Sequence, residues 1–414
     1  MTTPSSESTA SGHRSDQLVV ATPYQQPVLA AVVALGLSSA AEIETSTELG
    51  LSLVGFDADQ LTGWWQGDNR QLGASAIDAL IAALRRYFAD RYSGWYPTLG
   101  KNRFVQHVDG LYHVGGWGDD GIMSVAADQA PPLRSGTAGQ GVRIGVPDTA
   151  IYPNSWLGGG FHALESSLLR PTRAAQGEPP PVLLTAGHAT FVAGRILMEA
   201  PGATVEVLEC LDEGGQADVW RSAKAMVALA RSGVEVLNVS FGCRTEDGQP
   251  PLVLSAAVDR LPSHVLVIAA AGNFGGTSTA SSATDTAVRG AAWPAALDDV
   301  VAVGALDETG EVASFSPTAP WVDVYAPGVR LVSTYLDDSF RVYGNDSTPT
   351  VTPTGFARWS GTSFSAACVS GRVAAGIVPD VVDSRMSFAA VRESMQRTIG
   401  LPEPRQISAT APTR

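Results

Sequence analysis

The amino-acid sequence predicts an α/β protein, with a mainly parallel β-sheet flanked by helices and an N-terminal region that is mainly helical. From about residue 141 onward, short runs rich in Val and Ile alternate with segments of helical periodicity. That alternation is typical of a parallel sheet covered by helices on both faces. Before that point the clearest pattern is an apolar residue at every third or fourth position over 74–92, which indicates an amphipathic helix.

The composition is that of a folded, acidic chain. Of its 414 residues 44% are hydrophobic, and the formal net charge is −14. A surface of that sign repels phosphate backbones, so we expect no nucleic acid as a partner. Cys210, Cys243 and Cys368 are too few and too scattered for a disulfide framework, and no pair has metal-ligand spacing.

No stretch of the sequence predicts a membrane-spanning helix, because no apolar run reaches about 18 residues. The apolar stretch 27–42 could be a signal-peptide core, but the residues before it are not basic. Polar residues also occupy 24–26, where such a core should begin. We therefore interpret this stretch as a short amphipathic helix and expect no membrane partner and a cytoplasmic protein, with secretion as the alternative.

The N-terminal part of the chain falls into three predicted segments. Residues 1–18 are polar, rich in Ser and Thr, and expected to be disordered. Residues 19–95 are expected to form a helical region of unknown role. Residues 96–140 form a Gly-rich connecting segment with a possible hairpin, in which His107 and His113 are interpreted as structural or surface residues.

Residues 141–400 are predicted to form one domain, followed by a flexible tail over 401–414. Its strand candidates, in chain order, are VRIGVPD, TVEVLEC, VEVLNVS, VLVIAAAG, VVAVGA and VDVYAP. Two biased segments, GGTSTASSATDTAVRG and PTRAAQGEPPP, are expected to be surface loops.

Polar residues stand where these strands end and helices begin. Asp148 ends the first strand, His188 opens a helix, Asn273 follows a later strand, and Ser363 opens a helix of small residues. Such groups cluster at the carboxyl edge of a parallel sheet. A reactive serine needs a base, the base needs a carboxylate, and a developing oxyanion needs donors. Each residue alone is more often a cap, turn or structural residue, but together they predict a nucleophilic serine site.

These residues lie in segments that resemble the subtilisin-like serine peptidases, the subtilase family. The similar segments are IGVPDTAI, GHATFVAG, VLNVSFG, VIAAAGN, VVAVGALDETGEVASFSPTAPWVDVYAPGV and GTSFSAACVSG. The resemblance covers roughly residues 141–376. It implies a subtilisin-like three-layer fold and a serine endopeptidase that cleaves peptide bonds through an acyl-enzyme intermediate.

The resemblance also implies a role for each candidate residue. Ser363 is the nucleophile, His188 the base and later the acid, and Asp148 the carboxylate that orients His188. Asn273 and the backbone N–H of Ser363 bind the oxyanion. The implied substrate-binding residues are Ser240, Phe241, Gly242, Ala270, Ala271 and Gly272, along which a peptide or protein substrate would bind as an added strand.

Several positions depart from the family's usual pattern. Ala150, Ala189 and Phe191 replace residues around the triad without replacing a catalytic one. Only Met198 and Glu199 stand where the family often has a longer loop with a calcium site. We therefore expect neither that calcium site nor another metal or cofactor.

Other functions stay open at this point. A catalytically inactive subtilase fold that binds peptides or regulates a partner would be expected to lack a triad or oxyanion residue, and all four are present. Nucleotide binding would need a Gly-rich loop directly after the first strand, where the chain has DTAIYP. The N-terminal region could be an inhibitory prodomain, a permanent regulatory module or a partner-binding domain. The substrate and the oligomeric state are not predicted.

Overall fold

The chain divides into two compact units. The structure is a computed structural model that describes residues 12–399 apart from 39, 68, 108–121, 133, 172–179, 275–289 and 344–348. Unit 1 comprises Met1–Phe104, Asp218–Val227 and Pro250–Arg260, and unit 2 comprises Val105–Ala217, Ala228–Gln249 and Leu261–Arg414. The predicted C-terminal tail, most of both predicted surface loops and His113 lie outside the described residues.

The helices and strands are numbered along the described chain. The helices are α1 (Gln25–Ala34), α2 (Ala58–Gln66), α3 (Ala76–Arg91), α4 (His188–Glu199), α5 (Val219–Arg231), α6 (Leu252–Val258), α7 (Thr362–Gly376) and α8 (Ser384–Ile399). The strands are β1 (His13–Ala21), β2 (Glu42–Ser46), β3 (Leu51–Gly55), β4 (Leu99–His107), β5 (Met123–Ser124), β6 (Arg143–Asp148), β7 (Phe161–Ala163), β8 (Pro181–Leu183), β9 (Thr204–Glu209), β10 (Gln216–Asp218), β11 (Val236–Val239), β12 (Phe241–Gly242), β13 (Leu266–Ala270), β14 (Val300–Leu306), β15 (Val324–Pro327), β16 (Leu331–Thr334), β17 (Arg341–Tyr343), β18 (Pro349–Val351) and β19 (Phe356–Trp359).

The unit boundaries differ from the predicted domain boundaries. Unit 2 begins at Val105, inside the stretch that we expected to be a separate connecting segment. Residues 218–227 and 250–260 group with unit 1, although the sequence analysis placed them in the domain over 141–400. Contacts between segments that are far apart in the chain decide this grouping, and sequence order does not reveal them.

Unit 1 is built on an antiparallel sheet with helices packed against it. The strands follow the order β4-β1-β3-β2, and each neighbouring pair runs antiparallel. The apolar stripe expected on α3 is confirmed, because its residues join one buried core with Leu18 and Val20 of β1. The buried stripe comprises Ile77, Leu80, Ile81, Leu84 and Phe88.

The sheet of unit 1 was missed by the sequence analysis. The helices expected within 19–95 are present, but β2 and β3 lie between them. Residues 13–18, expected to be disordered, form the first part of β1. The possible hairpin within 96–140 lies mostly at 108–121, outside the described residues, and β4, just before it, pairs with β1. The EIETS sequence of β2 is mostly polar and gives little strand signal; the strand pairs with β3 just after it, and β3 in turn pairs with β1.

A half-buried ion pair ties α3 to β4 within unit 1. Asp78 lies 2.5 Å from Nζ of Lys101 and accepts a hydrogen bond from the Ser75 hydroxyl at 2.7 Å. Burial alone would raise the pKa of Asp78, but the bonds from Lys101 and Ser75 hold that pKa below its ordinary value. The ionised carboxylate therefore stabilises unit 1.

We expect Asp78→Asn to lower the free energy of unfolding by about 1 kcal/mol at neutral pH. Because the folded-state pKa is lowered, this difference is fully present above about pH 4 and shrinks as the pH falls further. Urea denaturation of the full chain at several pH values measures it. The exposed Asp59→Asn serves as control, and an equal effect of the two substitutions would contradict the prediction.

Unit 2 contains the predicted parallel sheet. Its strands follow the order β15-β14-β13-β11-β6-β9-β7, and the neighbouring pairs are parallel. Helices α4 and α7 pack together over a large apolar core. On β6, Gly145 leaves room for Leu229 of α5. The parallel sheet and the helices packed on it agree with the three-layer α/β fold that the sequence predicts.

Two smaller sheets complete unit 2, in the orders β16-β19-β5 and β18-β17-β8. Strands β16 to β19 lie between the parallel sheet and α7 in sequence, whereas β8 comes before β9 and β5 precedes the stretch that resembles the family. None of the helices among the described residues is long and apolar enough to cross a membrane.

Candidate active site

Asp148 lies at the carboxyl end of β6, inside the parallel sheet, and has no exposed surface. Its backbone carbonyl accepts hydrogen bonds from the N–H groups of Cys210 and Leu211 at 2.8 and 3.1 Å. Its carboxylate accepts one from the N–H of Thr149 at 2.7 Å. The end of the strand therefore fixes both the backbone and the side chain of Asp148.

His188 begins α4 and faces this carboxylate. Its Nδ1 lies 2.8 Å from Oδ1 and 3.0 Å from Oδ2 of Asp148. An ionised carboxylate only accepts hydrogen bonds, so Nδ1 carries the proton and Nε2 is the basic nitrogen. The N–H of Ala189 also donates to Oγ1 of Thr149 at 3.2 Å, which ties the start of α4 to the end of β6.

The pKa of Asp148 shows which of two opposing effects wins. Complete burial would raise it, but the charge of His188 and hydrogen bonds from His107 and His188 hold the pKa of Asp148 well below its ordinary value. The carboxylate therefore stays ionised in the interior, where it can orient an imidazole and stabilise its protonated form.

His107, which the sequence analysis interpreted as structural or surface, is part of this cluster. It is buried at the end of β4, with Nε2 at 3.3 Å from Oδ1 of Asp148. Its ring stacks on that of His188 with centroids 3.7 Å apart and an interplanar angle of 27°. No motif or ligand spacing connects His107 to the triad segments, so only the fold brings it there.

The strand end that carries His107 lies between Gly215 and Phe241–Gly242 of unit 2, and we call the space between these two segments the channel. Gln106 and His107 pair antiparallel with Gly242 and Phe241. On the other side, the N–H of His107 donates to the carbonyl oxygen of Gly215 at 2.8 Å. The sequence analysis expected a substrate to bind as an added strand along Ser240–Gly242. The chain's own strand occupies that position beside Phe241 and Gly242.

Ser363 is the second residue of α7 and is buried. Its hydroxyl donates to the carbonyl oxygen of Ser240 at 3.3 Å, and the Ser240 hydroxyl donates to the carbonyl oxygen of Ser363 at 3.3 Å. Asn238, which the sequence analysis did not assign, bonds the Ser240 hydroxyl at 3.0 Å and accepts from Ser370 at 2.9 Å. This buried network joins the loop after β11 to α7.

Asn273 meets the start of the same helix. Its Oδ1 accepts hydrogen bonds from the backbone N–H and the hydroxyl of Thr362 at 3.0 and 2.9 Å. The Thr362 hydroxyl accepts in turn from the N–H of Gly272 at 3.1 Å. Thr362 had no role in the sequence analysis, although its place directly before Ser363 was a usable signal. The two bonds from Thr362 occupy the side-chain oxygen of Asn273. The side-chain NH2 group is the part of Asn273 that can donate a hydrogen bond to an oxyanion.

Aromatic side chains close the other side of His188. Trp359 meets the His188 ring edge-on, with centroids 5.7 Å apart, and Phe364 lies at 5.5 Å. Phe191, one of the departures from the family pattern, packs against Phe364 at 4.3 Å. These contacts are apolar and limit the orientations that the imidazole can adopt.

The predicted substrate residues Ala270–Gly272 stand at the end of β13, with Ala270 as its last residue. Ala270 pairs with Val303, and the N–H of Ala271 donates to the carbonyl oxygen of Val303 at 2.9 Å. Ala270 and Ala271 are buried. Their contact with a substrate stays a prediction.

His107, Asp148 and His188 also offer ligand atoms within 4.8 Å of one another, the spacing of a possible metal site among the described residues. Metal-binding lone pairs lie in the plane of each imidazole ring. Two rings stacked at 27° direct those lone pairs side by side, and Asp148 Oδ1 already accepts from three donors. The geometry fits a hydrogen-bonded cluster better than a metal centre.

Comparison with known proteins shows the family to which this chain belongs. The model of the subtilase family matches residues 139–408. The thermophilic serine proteinase of Bacillus sp. (strain AK1) is 29% identical over 267 residues, which cover 61% of this chain and 56% of that protein. Subtilisin Savinase of Lederbergia lenta is 31% identical, over 54% of this chain and 77% of the relative. This chain thus spans little more than half the length of the first of these relatives.

Among solved structures, fervidolysin from Fervidobacterium pennivorans, a keratinolytic enzyme related to subtilisin, is similar with a TM-score of 0.59 and 18% identity. The match covers 93% of this chain and 57% of the other. At that identity the similarity concerns the fold alone.

A glycine directly before His188 lets the chain pass beneath a buried ring. A Cβ atom at Gly187 would lie 2.2 Å from Cε2 of Tyr335. Tyr335 has no exposed surface and donates its hydroxyl to the carbonyl oxygen of Leu184 at 2.5 Å. The ring therefore has no room to move, and the position requires glycine.

We expect Gly187→Ala to lower the free energy of unfolding by about 2 kcal/mol, because the added methyl group overpacks the core beside His188. Thermal and urea denaturation measure the loss. Gly63→Ala in α2, where an added Cβ would meet nothing within 4 Å, is the control and should be neutral or slightly stabilising. Equal stability of the two variants would contradict the prediction.

Proposed function

Because the chain belongs to the subtilase family, we propose that it is a serine endopeptidase that hydrolyses peptide bonds through Asp148, His188 and Ser363. The observation that carries the proposal is the hydrogen bond from His188 Nδ1 to the buried Asp148 carboxylate. It sets the tautomer in which Nε2 is the base, the form that a serine nucleophile requires.

The proposed reaction begins when Ser363 Oγ attacks the carbonyl carbon of the substrate and His188 Nε2 takes the hydroxyl proton. The carbonyl oxygen becomes an oxyanion, which the Ser363 N–H and the Asn273 amide stabilise. When the C–N bond breaks, Nε2 returns the proton to the leaving amine and the acyl group stays on Ser363. Water then repeats both steps and releases the acid.

Each residue has a separate part in lowering the barrier. Asp148 keeps its charge beside the imidazolium that forms at His188, and the low dielectric of the interior strengthens that attraction. Thr362 donates two hydrogen bonds to Oδ1 of Asn273, and these bonds fix the orientation of the Asn273 amide group at the helix start. The proposed steps use side chains and backbone donors alone, so the proposal includes no cofactor, and a cytoplasmic location stays a prediction.

A catalytically inactive peptide-binding protein is the second candidate. Two observations favour it: Ser363 is buried, and the strand end Gln106–His107 occupies the channel beside Phe241. Both would also be found in a peptidase whose channel is filled by its own chain. The two candidates differ in whether Ser363 is activated, which a chemical probe measures.

We expect a fluorophosphonate probe to label the full-length protein once per chain, because an activated serine reacts with it. Intact mass spectrometry measures the adduct. Ser363→Ala should abolish labelling, whereas Ser360→Ala, three residues before it, should retain it. A second form carries an inserted recognition site for an added protease within 108–121, to release the strand end. Absence of labelling in both intact and cut forms would contradict the proposal and favour the inactive candidate.

We expect Thr362→Val to lower kcat about tenfold with little change in KM, because Asn273 loses one of the bonds that orient its amide. Thr362→Ser keeps the hydroxyl and is the matched control. Steady-state hydrolysis of a peptide substrate measures both constants. If the valine variant turned over as fast as the serine variant, the hydroxyl would have no positioning role.

A further inference from the structure

The strand end in the channel shows which side chain fits next to the catalytic base. His107 contacts the site on three sides. Its Nε2 lies 3.3 Å from Oδ1 of Asp148, its ring face stacks on His188 at 3.7 Å, and its N–H donates to Gly215. A side chain at this position is therefore recognised by hydrogen bonding and by shape.

Gly215 provides an independent sign that the space is shaped for this ring. A Cβ atom at Gly215 would lie 2.1 Å from Nδ1 of His107 and 2.7 Å from its Cε1. The same glycine has a φ of +74°, which other residues rarely adopt. A side chain at position 215 would therefore overlap the imidazole of His107.

The register relates this position to the bond that would be cleaved. His107 lies opposite Phe241 in an antiparallel pair, and Ser240 precedes Phe241. In a peptide bound in this register, the residue after the one opposite Phe241 lies opposite Ser240. The carbonyl oxygen of Ser240 accepts a hydrogen bond from the Ser363 hydroxyl, so the proposed nucleophile lies next to the peptide residue opposite Ser240. The cleaved bond would be the one that follows that peptide residue. The position of His107 is therefore the second residue before the cleaved bond.

We propose that this site selects peptides with histidine as the second residue before the cleaved bond, and that His107 holds the chain's own strand by the same contacts. This selectivity rests on the proposed function, since it names the substrates of the same site. Asp148 supplies the acceptor, His188 the stacking face, and Gly215 the space for the ring.

Other side chains fit less well for definable reasons. A phenylalanine keeps the stacking face but has no donor for Asp148. An alanine loses both interactions and leaves a gap above His188. A hydrogen bond to a carboxylate is among the stronger protein hydrogen bonds, so its loss should weaken binding about tenfold or more.

The first experiment measures how stably the strand end is bound in the channel of the full chain. It uses a Ser363→Ala background, in which no peptide bond is cleaved. Hydrogen exchange at the amide of residue 107 reports how often the strand leaves Gly215. We expect exchange about tenfold faster with His107→Phe and faster still with His107→Ala. Gln106→Ala, one residue earlier, should leave it unchanged. Unchanged exchange in the phenylalanine variant would overturn the proposal.

The second experiment measures selectivity for an added peptide, in the full-length chain with Ser363→Ala and His107→Ala. Three fluorescent peptides carry the sequence of residues 103–107 with His, Phe or Ala at the last position. We expect the histidine peptide to bind about tenfold more tightly than the phenylalanine peptide. Equal affinities, or no binding of the histidine peptide, would overturn the proposal. Fluorophosphonate labelling of the wild-type chain tests the peptidase function separately, so the two failures are distinguishable.

Discussion

The burial of the Asp148 carboxylate is the constraint on which the site depends. A charge removed from water is costly unless donors surround it. Here the donors come from separate parts of unit 2: the N–H of Thr149, the ring of His188 at the start of α4, and the ring of His107 at the end of β4. The position of each segment follows from the need to satisfy one charge.

A second centre of organisation is the start of α7. Ser363 is held by Ser240, and Thr362 by Asn273. The small residues that follow allow α7 to approach α4 closely. At Gly371, a Cβ atom would lie 2.6 Å from the carbonyl oxygen of Ile196. The helix of Ser, Ala, Cys and Gly residues thus packs closely against α4, while its first turn carries Ser363, the proposed nucleophile.

The occupied channel lies next to both of these centres, because His107 contacts Asp148 and also pairs with Phe241, which follows Ser240. Gln106 and His107 take the position beside Phe241 and Gly242 where a substrate strand would pair, so strand and substrate exclude each other. In the proposed peptidase, a substrate would reach this position only when the strand end leaves it. The contacts of His107 explain how the two residues Gln106 and His107 can occupy the channel. The same contacts indicate the histidine side chain that we propose a bound peptide presents there.

The sequence by itself determined the parallel sheet and the helix α3, and it singled out Asp148, His188, Asn273 and Ser363 as candidate site residues. Each of these rests on a local sequence pattern. Continuous apolar runs predict the strands, apolar residues at three- and four-residue spacing predict α3, and polar residues at strand and helix ends give the four candidates. Only the tertiary structure decided the antiparallel sheet of unit 1 and the places of Asn238, Gly215 and His107. The reason is physical, because strand pairing and ring stacking join residues that are far apart in the chain and carry no local periodicity.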